Sequence, residues 1–178
     1  MPTFPFLSNR RVGRVATAAA LMGTVGASAA LAVMYTPSDE GGSYGLVDHC
    51  VPVQEALADI PLVNVTLTEW SVTAGPATAA AGKVGFAALN GGVEPHELVV
   101  VKGDVIPVDA DGALDEAALP EGALIGEIEP FPSGLSCGIA FDLTPGDYTL
   151  LCNIVEVEDG AVEAHYKLGM ATGFTVTG

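Results

Sequence analysis

The sequence predicts an all-β protein, a Greek-key β-sandwich or barrel, preceded by an N-terminal hydrophobic signal or anchor helix. Three observations predict it. Gly (22) and Pro (12) are abundant while aromatics are only 6% of the chain, which suits many short strands joined by turns. Apolar and polar residues alternate at period two in several short runs. No helices are available to cover a parallel sheet, so Greek-key crossing is the natural way to close the core. A length of 178 residues suffices for one ordinary domain plus something shorter. Heptads and solenoid-spaced repeats are absent.

Residues 1–38 read as a signal peptide or a membrane anchor. Arg10, Arg11 and Arg14 precede an uncharged, Ala- and Gly-rich stretch over 15–38. Its apolar part is near the ~20 residues that cross a bilayer. Ala27-Ser28-Ala29 offers a small-x-small cleavage site. Asn9-Arg10-Arg11-Val12 has the paired arginines of a twin-arginine signal, although the residues after it match poorly. Cleaved or retained, the positive flank stays in the cytoplasm and the remainder is exported, to the extracytoplasmic or periplasmic side. Residues 39–61, with Gly41, Gly42, Gly45 and Pro52, read as a linker with a short helical turn over 53–59.

Residues 62–178 read as the β domain. Val63, Val65 and Leu67 alternate with Asn64, Thr66 and Thr68, and apolar strands follow over 84–89 and 98–101. Residues 141–143 lead into the Pro145-Gly146-Asp147 turn, after which Tyr148, Leu150 and Cys152 recur at period two. Phe174 and Val176 mark a closing strand. Between residues 103 and 137, four prolines and several acids break the pattern, so that stretch reads as a long excursion across one end of the sandwich, with one helical turn near 114–119.

Charge restricts the partners. All 22 acidic residues lie at or after Asp39, against only Lys83, Lys102 and Lys167 in the same part of the chain. Such a surface repels nucleic acid and anionic lipid. The membrane is therefore met only through the N-terminal segment. The acidity serves either solubility or docking of a partner with a basic surface.

Four residues carry the chemistry: His96, Cys152, His165 and Met170. A type 1 copper site needs two imidazoles and a thiolate in a trigonal plane, with a weak axial thioether. One ligand is supplied early, at the head of the run Pro95-His96-Glu97-Leu98-Val99-Val100, and three late, between residues 152 and 170. Singly, each has an ordinary reading as a satisfied histidine, a buried thiol or a core methionine. The joint order in a strand-rich, exported chain sets them apart.

Over residues 62–178 the chain resembles the plastocyanin/azurin group of small cupredoxins. Gly146-Asp147-Tyr148-Thr149-Leu150-Leu151-Cys152 looks like the family's Gly-x-Tyr-x-x-x-Cys strand. Residues 82–90, running on to His96, look like the strand and loop that bring in the first histidine, and His165 and Met170 keep a His-x-x-x-x-Met spacing. The resemblance implies one type 1 copper ion, with His96, Cys152 and His165 in the plane and Met170 axial. It also implies that His165 reaches the surface beside Tyr166, Leu168 and Gly169 in an apolar docking patch. One departure is the 12-residue insert between Cys152 and His165, longer than in the simplest members. Its Glu156, Glu158, Asp159 and Glu163 either rim that patch, bring a carboxylate near the metal, or form a solvated loop.

Three cysteines in an exported chain leave one odd. If Cys152 is the thiolate, Cys50 and Cys137 can pair. In the chain-entropy model, such a closure contributes about 4 kcal/mol. His49 reads as a solvated linker histidine and Trp70 as core. One-electron transfer between redox proteins is the leading function. Copper trafficking or storage, and a metal-free cupredoxin-like interaction domain, are the alternatives. A multicopper enzyme needs further histidine-rich sites, and His49, His96 and His165 are the only histidines, so the reading is not an enzyme.

Overall fold

Alternation becomes layered structure where one face of each strand is buried. In β1 (Leu62–Thr68) the side chains of Val63, Val65 and Leu67 are buried while their neighbours are wholly or partly exposed. A computed structural model describes residues 50–158 and 160–178. The expected signal or anchor over 1–38, His49 and Asp159 lie outside the described residues. Among the described residues, no helix is long and apolar enough to cross a membrane.

Ten further strands follow: β2 (Ser71–Gly75), β3 (Thr78–Ala80), β4 (Gly82–Asn90), β5 (His96–Lys102), β6 (Leu124–Phe131), β7 (Ser136–Leu143), β8 (Gly146–Leu151), β9 (Val155–Glu158), β10 (Ala161–Ala164) and β11 (Ala171–Thr177). One sheet has the order β2-β1-β4-β7, and the second β3-β11-β8-β5-β6. The chain passes from the first sheet to the second at β3 and returns at β4. That crossing lets β1 pair parallel with β4, and β3 parallel with β11, without a covering helix. The edge-on contact of Phe86 on β4 with Phe174 on β11, 5.5 Å between ring centroids, joins the sheets in the core.

The central strands of the five-stranded sheet, β5 and β8, are buried on both faces. Val100 and Leu150 are paired across β5 and β8, and so are Val99 and Leu151. Because successive side chains alternate faces, the second pair points away from the main core. It joins Val101, Leu114 and Ala123 in a smaller core, covered by Ile106, Leu119 and Tyr166. The excursion after β5, including a 3₁₀ turn at Glu116–Ala118, thus supplies part of a third layer. It also contains β6, an edge strand that the sequence pattern hid.

Residues 50–61 pack against the sheets. A helical turn, α1 (Val53–Ala56), lies where the sequence predicts one. Gly138 on β7 donates its N–H to the Val51 carbonyl at 2.8 Å. A Cβ at Gly138 would stand 3.1 Å from the Val53 backbone, so glycine permits the approach. Cys50 and Cys137 are disulfide-bonded, with Cα atoms 4.9 Å apart, closing the segment onto β7.

Candidate metal centre

His96 opens β5, and the loop before it is held from both sides. Asn90, fully buried at the end of β4, donates from Nδ2 to the carbonyls of Glu94 (2.8 Å) and Phe131 (2.9 Å). Its Oδ1 accepts the Gly92 N–H at 2.9 Å. Glu69, in the β1–β2 turn, accepts the N–H groups of Val93 (2.7 Å) and Glu94 (2.9 Å) on Oε1. The same oxygen lies 3.3 Å from His96 Nε2. A Cβ at Gly92 would stand 2.7 Å from His96 Nε2 and would also run into the Glu69 carboxylate. Only glycine fits there.

Cys152 lies one residue beyond β8. Its N–H donates to the Met170 carbonyl (3.1 Å), and the Met170 N–H donates to the His165 carbonyl (3.0 Å). His165 begins the single helical turn α2 (His165–Leu168). Gly169, with φ +118°, ends that turn in the left-handed region and returns the chain to β11. This short circuit of backbone bonds brings three late residues together without a long loop.

His165 Nδ1 is 3.3 Å from Cys152 Sγ, and the Glu97 N–H points to the same sulfur at 3.5 Å. His96, Cys152 and His165 each offer a donor atom within 4.8 Å of the other two. That is close to the span a single small cation bridges with bonds of ~2.0–2.3 Å. All three residues, and Met170, are 0% exposed.

The donors fit a soft, small cation. Both ring nitrogens of His96 are buried without a hydrogen-bond partner, a costly arrangement unless a ligand meets one of them. Burial, then the charge of Glu97, pushes the Cys152 thiol up to about 12, against the pull of the Glu97 and Ile154 N–H groups. A thiolate at this position therefore needs a cation beside it. Burial, together with His165, lowers the pKa of His96, and burial lowers that of His165. Both imidazoles are thereby kept in the neutral form that metals bind. Burial works against the Glu69 carboxylate, but the N–H groups of Glu94, Glu69 and Val93 and the His96 ring prevail, holding it at about 2.

The surroundings of His165 differ from expectation. Its ring is buried rather than surfacing through an apolar patch. Trp70 meets it edge-on at 5.0 Å. Its Nε2 lies 3.2 Å from Glu156 Oε1 and 4.0 Å from Glu94 Oε2. Tyr166 packs on the smaller core instead of beside the ring. The insert is not an open loop: β9 and β10 pair as a hairpin, with Glu156 opposite Glu163. Sequence reasoning allowed for a carboxylate near the metal but did not single out Glu156, and it missed Glu69 and Glu94. The alternation Val155-Glu156-Val157-Glu158 before Asp159-Gly160 was the signal for that hairpin. Nothing local marks Glu69.

The solved structures to which the chain is similar include a protein described as a "blue" copper protein. No protein-family model and no curated protein matches it. Among solved structures, reduced auracyanin from Roseiflexus castenholzii is 21% identical, with a TM-score of 0.49, over 66% of this chain and 97% of that one. Auracyanin A, a "blue" copper protein from Chloroflexus aurantiacus, is 18% identical with a TM-score of 0.42, over 65% and 99% of the two chains. Rusticyanin from Thiobacillus ferrooxidans is 16% identical with a TM-score of 0.42, over 65% and 76%.

Proposed function

We propose that the protein is an exported type 1 copper protein that transfers single electrons between redox partners. His96, Cys152, His165 and Met170 would hold the copper ion. The observation that carries this reading is the buried cluster of two imidazoles and one thiol, drawn from separate strands and loops, with both nitrogens of one imidazole lacking a hydrogen bond. Bound there, copper would supply a one-electron couple. The chain's residues hold the donors in fixed places through Asn90, the Met170 backbone and the turn at Gly169, so little need move when the charge changes.

Burial of all four residues favours electron transfer over copper trafficking, because a carrier that hands over its ion needs an approach to it. The two surface cavities described touch none of the four. One is lined by Asp104, Tyr148 and Tyr166 among others, the second by Pro52, Asn64 and Ala87 among others. The disulfide fits an oxidising compartment, consistent with export through the segment over 1–38, cleaved or kept as an anchor. The surplus of carboxylates suits a partner with a basic docking surface, and transfer to such a partner should slow as salt rises.

The test is the visible spectrum of the exported protein with Cu(II). An intense charge-transfer band is expected, lost in Cys152→Ser with the fold intact. A band that survives in that variant overturns the ligand assignment. A colourless copper complex points to trafficking or storage.

A further inference from the structure

Both histidines have Nε2 beside a carboxylate. His165 faces Cys152 through Nδ1, leaving Nε2 at 3.2 Å from Glu156. His96 has Nε2 at 3.3 Å from Glu69, a charge contact without hydrogen-bond geometry. The carboxylates come from unrelated segments, the β1–β2 turn and strand β9, and meet the same atom of two different rings. Neither is freely solvated: Glu69 is 26% and Glu156 18% exposed at the side chain.

On the premise that this site holds copper, we propose that Glu69 and Glu156 are positioning residues. Glu156 accepts the Nε2–H of His165, Glu69 stands beside Nε2 of His96, and both carboxylates bias the centre toward Cu(II) over Cu(I). Two physical effects act in the same direction. An imidazole that donates its second N–H to a carboxylate is oriented by it and becomes a stronger donor. A fixed negative charge in a water-poor setting also favours a dication over a monocation, and the effect grows as the local dielectric falls. Glu156 has a further consequence. It covers the ring edge through which an exposed histidine would meet a partner, so the hairpin sets both the potential of the centre and its seclusion.

The test compares the midpoint potential of the whole exported protein with those of Glu156→Gln, Glu69→Gln and Asp142→Asn. Asp142 is an exposed carboxylate at the far end of β7 and serves as the control. Glutamine keeps an acceptor for the ring N–H and removes the charge. Each Glu→Gln change is expected to shift the Cu(II)/Cu(I) affinity ratio at least tenfold toward Cu(I), about 59 mV for a one-electron couple. Asp142→Asn should shift it less than twofold, and Glu156→Asp should restore most of the wild-type ratio. A Glu156→Gln shift no larger than that of Asp142→Asn overturns the proposal.

Glu69 also holds the loop before His96, and its variant can fail to fold. A second measurement on the wild type therefore stands beside the first: nitrogen-15 NMR of the diamagnetic Cu(I) form. A slowly exchanging Nε2–H on His165 supports the proposal, and rapid exchange there overturns it. A protein that binds no copper ends the functional reading and this inference together. Copper binding with the intense band but an unmoved ratio ends only the inference.

Discussion

The loop that delivers His96 and the insert that precedes His165 solve the same problem by different means. Each brings an imidazole to the cluster with a glutamate behind it. The first is built into the fold: Asn90 makes three hydrogen bonds with no solvent exposure, and Glu69 accepts two backbone N–H groups. The second is an appended two-stranded hairpin outside both sheets, whose Val157 and Val162 are 54% and 50% exposed. The lesson is a division of labour. One side of the site is fixed by the core that folds the protein. The opposite side is covered by a structure the core does not need, and can be changed without loss of the fold.

Four variants break or sharpen that contrast. Asn90→Ala should have the largest effect, because it strands a buried N–H and two buried carbonyls at about 1–3 kcal/mol each, partly relieved by water. A loss of about 3 kcal/mol in chemical denaturation is expected, with weakened copper binding. Gly92→Ala should cost about 2 kcal/mol, typical of forcing atoms into a filled space. Its added methyl also pushes the Glu69 carboxylate from the His96 ring, so the copper spectrum should move as well.

Met170→Leu acts on the fourth residue proposed for the cluster. The swap conserves volume, and the backbone bonds of residue 170 to Cys152 and His165 do not involve its side chain. It should cost about 1 kcal/mol, retain copper, and raise the potential, since a donor that favours the oxidised ion is withdrawn. Loss of copper in this variant would mean that residue 170 is misassigned. The smallest effect belongs to Val157→Ser with Val162→Ser, within about 0.5 kcal/mol in all. If the pair instead costs several kcal/mol, the hairpin is part of the core and the contrast is wrong.

The same contrast explains what the sequence made legible. Strands that bury one face announced themselves: Val63, Val65 and Leu67 are buried as their spacing requires. So did the unbroken run Leu98-Val99-Val100-Val101, which is apolar throughout because β5 is covered on both faces. Strands β2 and β3 were hidden because small and polar residues such as Thr73, Ala74 and Ala79 carry little pattern, and neighbouring strands impose their pairing. Edge strand β6 holds Glu127, Glu129 and Pro130, residues that read as a loop until β5 supplies the ladder. Of the site, His96, Cys152 and His165 were legible from residue type and order, and the structure gathers them. Their carboxylate neighbours were not, because a contact such as Glu69 with His96 arises only when two distant segments are brought together. The expectation of an exposed His165 failed for the same reason: the groups that bury it, Trp70, Glu94 and Glu156, come from three parts of the chain.

The place of β11 in its sheet has a consequence for biogenesis. Although last of the strands in sequence, it is an interior strand, hydrogen-bonded between β3 and β8. Its partner β3 lies close to 100 residues earlier, with Thr175 opposite Thr78. Pairings this distant are made late, because the closure of so long a chain precedes any gain from them. The second sheet therefore cannot zip shut until residues 171–177 are in place. Until then Cys152 and His165 lack their final surroundings. The thiol that the finished fold seals away stays reachable by oxidants and stray cysteines throughout that interval, so the timing of this last pairing bears on whether Cys152 stays reduced.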